Sequence, residues 1–406
     1  MLDEIEARRR LIEATPPGKI TRLPLIEALG ATAACTLRAG VPLPGFDNSQ
    51  MDGYAVRSGD AVAGAVLRVV GTQFAGLDTG QSPVQPGTAV RVFTGAPLPS
   101  GADAVVMQED VEVAGAEIRL RVDAAPGEFV RRRGADLCEG QIILREGDRL
   151  TPARLGLLAS QGHAEVPVRI APRAVVVTTG DELVEPGAGA VLLPGQIFNS
   201  NGAMLAAGLQ RFGVTRVKVA HAPDDPVRLR AVLQEALGAG DFCLIAGGVS
   251  VGERDHVKTV LSALGASGGF WKVRVKPGKP FFFAGLEDKV IFGLPGNPVS
   301  SWITFLLFVV SSLQRHAGRW PDPSVPGLAG VRAFLGEDLH NDGDRPHYVR
   351  GVWNGAVGTF RSVGIQQSHA LHGLSLANAL VRVEGGERLD AGAEVTVRLM
   401  QEDGWE

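Results

Sequence analysis

The strongest constraint on the fold is a regular alternation of short apolar runs and longer helix-like segments between residues 172 and 316. Runs rich in valine, isoleucine and phenylalanine predict strands at 174–178, 214–220, 242–246, 280–284 and 289–293. Helical patterns follow Asn201, Asp225 and Asp255, and the last helix is expected at 299–316. Because parallel strands need long crossover connections, this alternation predicts a parallel α/β sheet that is covered by helices on both faces.

The N-terminal part of the chain has a mixed texture. Residues 2–13 and 23–29 both have helix-like patterns. Thr151 and Pro152 suit the cap and the first turn of a further helix, which is expected to run to about residue 162.

Two other regions are rich in predicted strands. Between about residues 41 and 136, apolar pairs alternate with glycine-rich turns, and 111–122 is typical of a hairpin. After the proline-rich linker 321–326, short strands such as 394–399 predict a small β-domain.

Composition narrows the possible function classes. A chain of 406 residues, 45% hydrophobic and 21% charged, is expected to form roughly two to four soluble domains. The net charge of -4 argues against a general binder of nucleic acid or membrane surfaces. The three cysteines are too widely spaced to suggest zinc or a disulfide framework. The N-terminus lacks an apolar signal segment and the apolar run 302–310 is too short to span a membrane, so a cytoplasmic protein is expected.

Four motifs fall at the ends of predicted strands. They are TTGDE at 178–182, GGVSVG at 247–252, KPGKP at 276–280 and LPGNPVS at 294–300. Ligands of open parallel sheets bind beyond the carboxyl ends of the strands, so the four motifs are expected to converge on one pocket. The chain contains no Walker A motif, which argues against an ordinary P-loop ATPase.

Each of these motifs has both a functional and an ordinary structural interpretation. The acids near Glu182 suit a metal ion or a ligand hydroxyl, but the turn is also typical of a helix cap. The loop at Gly248 suits an oxyanion, although glycine-rich turns are common, and Asp255 is either a helix N-cap or a carboxylate that faces the same pocket. Lys276 and Lys279 place two positive charges on a stiff turn, whereas exposed lysines are usually only solvated.

The LPGNPVS motif is expected to begin a helix. Asn297 suits the N-cap, and Pro298 suits the first helical position. The free N–H groups and the positive end of the helix dipole would then face the pocket and favour an anion. The same residues are also compatible with an ordinary helix start.

Two polar stretches lie outside the α/β region. The segment FDNSQMDGYA at 46–55 carries Asp52 beside a glycine and a tyrosine, which is unusual for simple scaffolding. Three consecutive arginines, Arg131, Arg132 and Arg133, lie close to Asp136 in the sequence. Such an arginine run is usually a solvated face, but a neighbouring glycine turn and acid favour phosphate binding.

Taken together, these motifs resemble the molybdopterin molybdenumtransferases of the MoeA type, a family that includes the E-domain of gephyrin. The resemblance covers about residues 5–400 and rests on FDNSQMDGYA, VFTGAPLP, RRRGAD, TTGDEL, GGVSVGERD, KPGKP and LPGNPVSS. One departure is Leu376, which stands where a polar or charged residue is expected.

The resemblance implies a fold and an activity. Members of this family cleave adenylylated molybdopterin and combine it with molybdate, releasing AMP and the molybdenum cofactor with the help of magnesium. The implied domains are an elongated domain I at 1–40 and 140–171, a β-rich domain II at 41–139, a MogA-like α/β molybdopterin-binding domain III at 172–320 and a C-terminal β-barrel domain IV at 321–406. The implied assembly is a homodimer whose active cleft lies between domain III and the partner's domain II.

The resemblance also implies roles for individual residues. Asp52 would act as a catalytic residue from the partner subunit, with the catalytic Asp136 and the anion-binding Arg131 and Arg132 nearby, and Thr94 would bind the substrate or an anion. A second group would supply carboxylates for magnesium or for orienting the substrate: Glu182, Asp225 and Asp255. The anion-binding group would comprise Gly248, Ser250, Lys276, Lys279, Pro295, Asn297, Pro298, Ser368, and Arg345 or Arg350.

Two rival functions remain open at this point. One is the neighbouring step, adenylylation of molybdopterin, and the other is a non-enzymatic molybdopterin-binding scaffold. Possible protein partners are the molybdopterin adenylyltransferase and the proteins that receive the cofactor. Neither nucleic acid nor a membrane is expected as a partner.

Overall fold

The computed structural model describes residues 1–76, 83–187, 189–249 and 256–400. Contacts between residues divide the chain into two compact units. The larger unit comprises Met1–Ala34, Glu146–Thr151 and Glu165–Glu406, and the smaller comprises Cys35–Arg145 and Pro152–Ala164.

A six-stranded sheet forms the centre of the larger unit. Its strands are β1 (Arg173–Thr179), β2 (Arg216–Ala222), β3 (Phe242–Ala246), β4 (Ser267–Trp271), β5 (Phe282–Leu286) and β6 (Lys289–Leu294), in the spatial order β2-β1-β3-β6-β5-β4. Strands β2, β1, β3 and β6 are parallel, as predicted.

The prediction of a wholly parallel sheet is wrong at one edge. Strand β5 runs antiparallel to β6, and β4 runs antiparallel to β5. Only Glu287 and Asp288 connect β5 to β6, and a parallel pair would need a much longer crossover. Glu287 adopts a φ of 54°, which a tight hairpin turn requires. Strand β4 was not predicted, because its sequence SGGFW contains two glycines.

Helices cover both faces of this sheet. They are Ser200–Arg211, Pro226–Ala239, Val257–Ala263 and Pro298–Thr304, the last continuing through the π-helical turn Phe305–Val309 into Val310–His316. Alternate residues of each strand point to opposite faces, so Val176 packs in one core cluster and Val177 in the other. The two clusters hold the carboxyl ends of the parallel strands at one rigid edge.

The C-terminal part of the larger unit is a closed five-stranded barrel, which confirms the predicted β-domain. Its strands are β7 (Gly330–Leu335), β8 (His347–Asn354), β9 (Thr359–Ser362), β10 (Ala379–Val383) and β11 (Glu394–Leu399), in the order β7-β9-β8-β10-β11. A short pair, Leu339–His340 with Arg388–Leu389, and the helix Leu371–Ser375 lie outside the barrel wall.

The N-terminal helix Glu4–Ala14 joins the larger unit through a buried polar cluster. The Glu4 carboxylate is 2% exposed, accepts a hydrogen bond from the Tyr348 hydroxyl at 3.1 Å and lies 2.9 Å from Arg382 Nε. The guanidinium of Arg8 is 3.5 Å from the same carboxylate. This cluster holds barrel strand β8 against the N-terminal helix.

The helix predicted at 23–29 is not formed. Instead, the strand Ile20–Pro24 pairs with Glu165–Arg169, which also pairs with Thr32–Ala33, and only the single 3-10 turn Leu25–Glu27 is helical. Pro24 ends the strand, and Ile26 is 88% exposed, so the segment has no apolar face to bury as a longer helix.

The smaller unit contains a second six-stranded sheet. Its strands are Gly53–Val56, Val66–Gln73, Thr88–Val92, Ala104–Met107, Val111–Ala114 and Glu117–Leu120, and the last two form the predicted hairpin. Three further segments complete the unit: the pair Asn48–Ser49 with Val130–Arg131, the pair Leu37–Arg38 with Ile142–Leu144, and the helix Pro152–Ser160. Within the described residues of the chain, no helix is both long and apolar enough to cross a membrane.

Candidate functional site

A cavity of about 1390 Å³ lies at the carboxyl ends of β1, β3 and β6 in the larger unit. Nine residues expected from the sequence line it: Glu182, Gly248, Lys276, Lys279, Pro295, Asn297, Pro298, Arg345 and Ser368. The strand-end motifs therefore meet in one hollow, as the parallel arrangement of these strands requires.

Glycines allow the loop after β3 to approach β1 closely. Gly247 and Gly248 have φ values of 98° and 60°, in the region that favours glycine. A Cβ atom at Gly247 would lie 2.7 Å from both the Thr179 carbonyl oxygen and its hydroxyl. Side chains are thus excluded here, and the loop backbone forms part of the cavity floor.

The KPGKP turn presents two lysines to the cavity. Gly278 has a φ of 119°, and a Cβ there would collide with the Thr304 methyl group. The backbone of Lys276 donates to the Pro346 carbonyl at 2.8 Å and accepts from the Tyr348 N–H at 2.8 Å. Barrel strand β8 therefore fixes the backbone from which the Lys276 side chain projects.

A third cation comes from the barrel region. Arg345 lines the cavity, and its Nη1 donates to the Val275 carbonyl at 3.0 Å, one residue before Lys276. Lys276, Lys279 and Arg345 therefore give this wall a positive charge that favours an anionic ligand. Burial, followed by Lys276 and the two arginines of this region, lowers the pKa of the neighbouring His347 to about 4.

The helix that begins at Pro298 does not present its N-terminus as the sequence suggested. Pro298 occupies the first position as predicted, but the Asn297 side chain does not cap the helix. Its Nδ2 donates instead to the Ser368 hydroxyl at 2.9 Å, while the Val299 N–H donates to the Ser368 carbonyl at 3.1 Å. The barrel-side segment, residues 365–368, thus occupies the Val299 N–H group, which was expected to be free for an anion.

Arg350 holds this barrel-side segment rather than lining the cavity. The residue is 0% exposed, and its Nη2 donates to the Ile365 carbonyl at 2.5 Å and to the Gln367 carbonyl at 3.4 Å. The Gln366 side chain accepts from the Arg350 N–H and donates to its carbonyl, both at 2.9 Å. Gln366, Gln367 and Ser368 line the cavity, so Arg350 supports the wall from behind.

The acidic residues are distributed differently from the prediction. Glu182 lines the cavity, and its carboxylate lies against Gly180. The predicted ligand Asp225 instead caps the helix Pro226–Ala239, where its Oδ1 accepts from the Arg228 N–H at 2.8 Å. Its neighbour Asp224 lines the cavity in its place. The turn after β1 leads into the strand Leu183–Val184, so it is not the helix cap that the sequence also allowed.

Two expected site residues, Ser250 and Asp255, lie outside the described residues. Across the described ranges, no three histidine, cysteine, aspartate or glutamate side chains are grouped as a metal site.

Two polar residues on the cavity wall, Asn199 and Asn201, were not singled out from the sequence, and a third, Thr179, belongs to the TTGDE motif but was given no role of its own. Asn199 caps the helix Ser200–Arg211, and its Nδ2 donates to the Thr178 hydroxyl at 2.8 Å. Asn201 is 8% exposed, and its Nδ2 donates to the Gly296 carbonyl at 2.6 Å. Thr179 is 6% exposed at the end of β1. The available signal was the sequence NSN at 199–201, which is typical of a helix start and was therefore not assigned to a site.

The remaining candidates lie in the smaller unit, where Asp52 and Thr94 come together. Asp52 Oδ1 accepts from both the N–H and the hydroxyl of Thr94, each at 2.8 Å. The Thr94 N–H, then its hydroxyl, and more weakly Arg91, lower the pKa of this exposed carboxyl below its usual value. Asp52 is therefore held as a carboxylate.

The arginine run of the smaller unit is engaged in local contacts. Arg132 Nη1 lies 2.7 Å from Asp47 Oδ2, and the Arg133 N–H donates to Asp47 Oδ1 at 2.7 Å. The Arg131 side chain is exposed on the short strand Val130–Arg131, and Asp136 is exposed in a following turn. Arg132 therefore already has an acidic partner within this unit through its Nη1.

Family models match almost the whole chain. The MoeA N-terminal region (domain I and II) matches residues 3–162, a probable molybdopterin binding domain matches 175–315, and the MoeA C-terminal region (domain IV) matches 332–400.

Individual relatives match over similar lengths. The chain is 35% identical to the molybdopterin molybdenumtransferase of Haemophilus influenzae over 98% of both chains. It is 36% identical to molybdopterin molybdenumtransferase 2 of Mycobacterium tuberculosis over 92% of this chain and 94% of the relative. The crystal structure of the MoeA molybdopterin biosynthesis protein of Pyrococcus horikosii superimposes with a TM-score of 0.83, at 30% identity and with 100% of both chains covered. All three comparisons agree on one family.

Proposed function

The chain belongs to the molybdopterin molybdenumtransferase (MoeA) family, and from this membership we propose how it inserts molybdenum into molybdopterin. Adenylylated molybdopterin and molybdate bind in the cavity of the larger unit. The phosphoanhydride is cleaved there, and AMP and the molybdenum cofactor leave. Adenylylation of molybdopterin and a purely structural role are not favoured, because the relatives match along nearly the full chain and are named for molybdenum transfer.

The observation that carries the proposal is the convergence of three cations on one cavity wall. Lys276, Lys279 and Arg345 line the cavity and come from two distant parts of the sequence. Molybdate and a phosphoanhydride both carry negative charge that such groups neutralise. Cations that are held in place before the ligand arrives also stabilise the charge that develops as a phosphoanhydride is cleaved.

Hydrogen-bond donors on the same wall complete the anion site. The Ser368 hydroxyl is held by Asn297, and Ser300 lines the cavity within the first turn of its helix. Arg350 is a positioning residue in this scheme, because it fixes the segment that carries Ser368. Pro295 and Pro298 stiffen the loop on which the serines and Asn297 depend.

Magnesium is part of the proposal, and the acids that line the cavity fit it. Magnesium is usually bound by one or two carboxylates together with substrate phosphates and water. Glu182 and Asp224 are the lining carboxylates in the described residues, whereas Asp225 caps a helix and is not among the lining residues. When bound, magnesium would supply positive charge to the phosphate oxygens. Glu182 and Asp224 would hold it and orient the pyrophosphate.

A homodimer is the proposed assembly, and the cytoplasm is the proposed location. The resemblance implies that Asp52 acts at the partner subunit's cavity, and its anchored, ionised carboxylate supports that role. Arg131, Arg132 and Asp136 would lie nearby in the same way. The molybdopterin adenylyltransferase and cofactor-receiving proteins are the proposed protein partners.

A reconstituted insertion assay tests this function. The wild-type protein is supplied with adenylylated molybdopterin, molybdate and magnesium, and cofactor and AMP are measured. Lys279→Met should lower the rate by about a hundredfold, the usual scale for removing one stabilising donor. Lys218→Met, on the exposed face of edge strand β2, is the matched control and should leave the rate unchanged.

The rival activities give different results in the same experiment. Formation of adenylylated product from molybdopterin and MgATP would indicate the adenylyltransferase instead. Full insertion activity in Lys279→Met would remove the charge argument, and no insertion by the wild type would favour a scaffold.

A further inference from the structure

The residue that directly follows the barrel-side segment is His369, which lines the cavity. Its backbone is fixed on both sides. The carbonyl of the preceding Ser368 accepts from the Val299 N–H at 3.1 Å, and the His369 carbonyl accepts from the Leu371 N–H at 2.8 Å. His369 is therefore held at a defined point of the cavity wall.

The imidazole of His369, in contrast to its backbone, is free to contact a ligand. The side chain is exposed, and within the part of the chain that the structure describes it has no hydrogen-bond or ion-pair partner. Its neighbour Ser368 is bonded by Asn297 and belongs to the proposed anion site. The fold thus places an unpaired imidazole beside the position proposed for an oxyanion.

The other ionisable side chains of the cavity wall are of types that do not readily exchange a proton near neutral pH. In the described lining they are Glu182, Asp224, Lys276, Lys279 and Arg345. Carboxyl groups are ordinarily ionised at neutral pH, and lysine and arginine ordinarily keep their protons. Histidine is the side-chain type that ordinarily changes charge between about pH 5 and 8. Among the described lining residues, only His369 is of this type.

Molybdenum insertion requires a proton donor at the oxyanion. One oxo group of molybdate must leave as the two sulfur atoms of molybdopterin bind the metal. An oxo group leaves poorly until protonation converts it to water, so an acid close to it accelerates the step. Cleavage of the phosphoanhydride has less need of an acid, because a phosphate group leaves readily.

We propose that His369 transfers protons between the molybdopterin thiols and the departing oxo group. The imidazolium donates a proton to one oxo group, which becomes a hydroxo group. As the two thiols bind molybdenum they lose their protons; one restores the imidazolium, and the other converts the hydroxo group to water, which leaves. One Mo–O bond breaks, two Mo–S bonds form and no atom is oxidised or reduced. This inference rests on the proposed function and adds the group that moves the protons.

Variants of His369 in the reconstituted insertion assay test this role. His369→Gln should lower kcat for cofactor formation about a hundredfold, the usual scale for general acid–base catalysis. The KM for molybdate should change by less than about twofold, because the interaction is lost in the transition state. Imidazole added to His369→Ala should raise its rate about tenfold, which a purely structural role would not produce. His369→Lys keeps a positive charge but does not exchange its proton readily, so it should be as slow as His369→Gln.

The pH profile gives a second readout. The wild-type rate should fall as the pH rises from about 6 to 8, because less imidazolium is present, and His369→Gln should lose this dependence. His372→Gln is the matched control, since His372 is exposed on the following helix Leu371–Ser375 and is not among the lining residues. It should keep the wild-type rate and pH profile.

Four outcomes would overturn the proton-transfer role: a wild-type rate in His369→Gln, an unchanged pH profile in that variant, no rescue of His369→Ala by imidazole, or a wild-type rate in His369→Lys. If the wild type still forms cofactor in those cases, the proposed function stands without His369 as its acid. If the wild type forms no cofactor, the proposed function fails and this inference fails with it.

Discussion

Gly278→Ala is the substitution whose effect follows most directly from the structure. Gly278 has a φ of 119°, a region in which side chains are strained, at a cost of about 1–3 kcal/mol. The new Cβ would also collide with the Thr304 methyl. That methyl cannot rotate freely, because the Thr304 hydroxyl donates to the carbonyls of Ser300 and Ser301 at 2.8 and 3.0 Å.

The two effects give an expected loss of about 2–4 kcal/mol in the free energy of unfolding. The backbone contributes the larger part, and displacing the Thr304 hydroxyl adds about 0.5–1.5 kcal/mol. Thr304→Ser keeps the hydroxyl and removes the methyl, so in the Gly278→Ala background it should recover about 1 kcal/mol. Because Gly278 lies between Lys276 and Lys279, a shift of this turn should also move both lysines and weaken molybdate binding.

Urea unfolding of the four proteins of this double-mutant cycle, followed by tryptophan fluorescence, measures these values. Gly285→Ala in β5 is the control, because a Cβ there would have its nearest contacts at 3.9 Å and φ is not positive. Equal stability of Gly278→Ala and Gly285→Ala would refute the strain argument. If Gly278→Ala loses the full expected free energy of unfolding and Thr304→Ser recovers none of it, the argument from a collision with the Thr304 methyl is refuted.

Three further substitutions test the support of the site. Arg350→Met should lower the catalytic efficiency of insertion roughly ten- to a hundredfold, because the segment that carries Ser368 loses its anchor. Arg332→Met, which changes an 88% exposed side chain of the same barrel, is the control and should leave the efficiency unchanged. The pKa of His347 is about 4 in the folded protein against 6.5 ordinarily. As the pH falls, the unfolded chain therefore takes up the proton first, and the free energy of unfolding should fall by about 3 kcal/mol between pH 6.5 and pH 4. His347→Gln should reduce this dependence of stability on pH, as measured by urea titrations. Glu4→Ala should cost roughly 3–5 kcal/mol by leaving the buried Arg8 and the partly buried Arg382 without their carboxylate. Glu13→Ala, on the exposed face of the same helix, should cost little in thermal unfolding.

The general location of the site could be predicted from local sequence patterns. Apolar runs identified β1, β3 and β6, and the rule for ligands of parallel sheets then brought Gly248, Lys279 and Asn297 to one edge. These predictions succeed because strand periodicity and glycine turns are properties of a few neighbouring residues. Residues close in sequence are sufficient to determine strand periodicity and glycine turns.

Predictions failed where the local sequence is compatible with two different structural roles. Asp225 and Asp224 are adjacent acids, and only the position of the helix start decided that Asp225 caps it while Asp224 lines the cavity. The direction of β5 likewise depended on a two-residue turn rather than on its apolar content. In both cases the competing structures have nearly the same sequence pattern.

By itself, the sequence determined that the chain has an α/β sheet, a small β-rich C-terminal domain and a cluster of cations and glycines at one sheet edge. Only the tertiary structure decided the partners of Asn297, whose side chain bonds Ser368 71 residues away, and the burial of Arg350 behind the cavity wall. It also left Asn201 Oδ1 without a hydrogen-bond partner among the described residues. Hydrogen-bond partners that are distant in sequence leave no local pattern, because they are selected by packing between whole elements rather than by the residues around them.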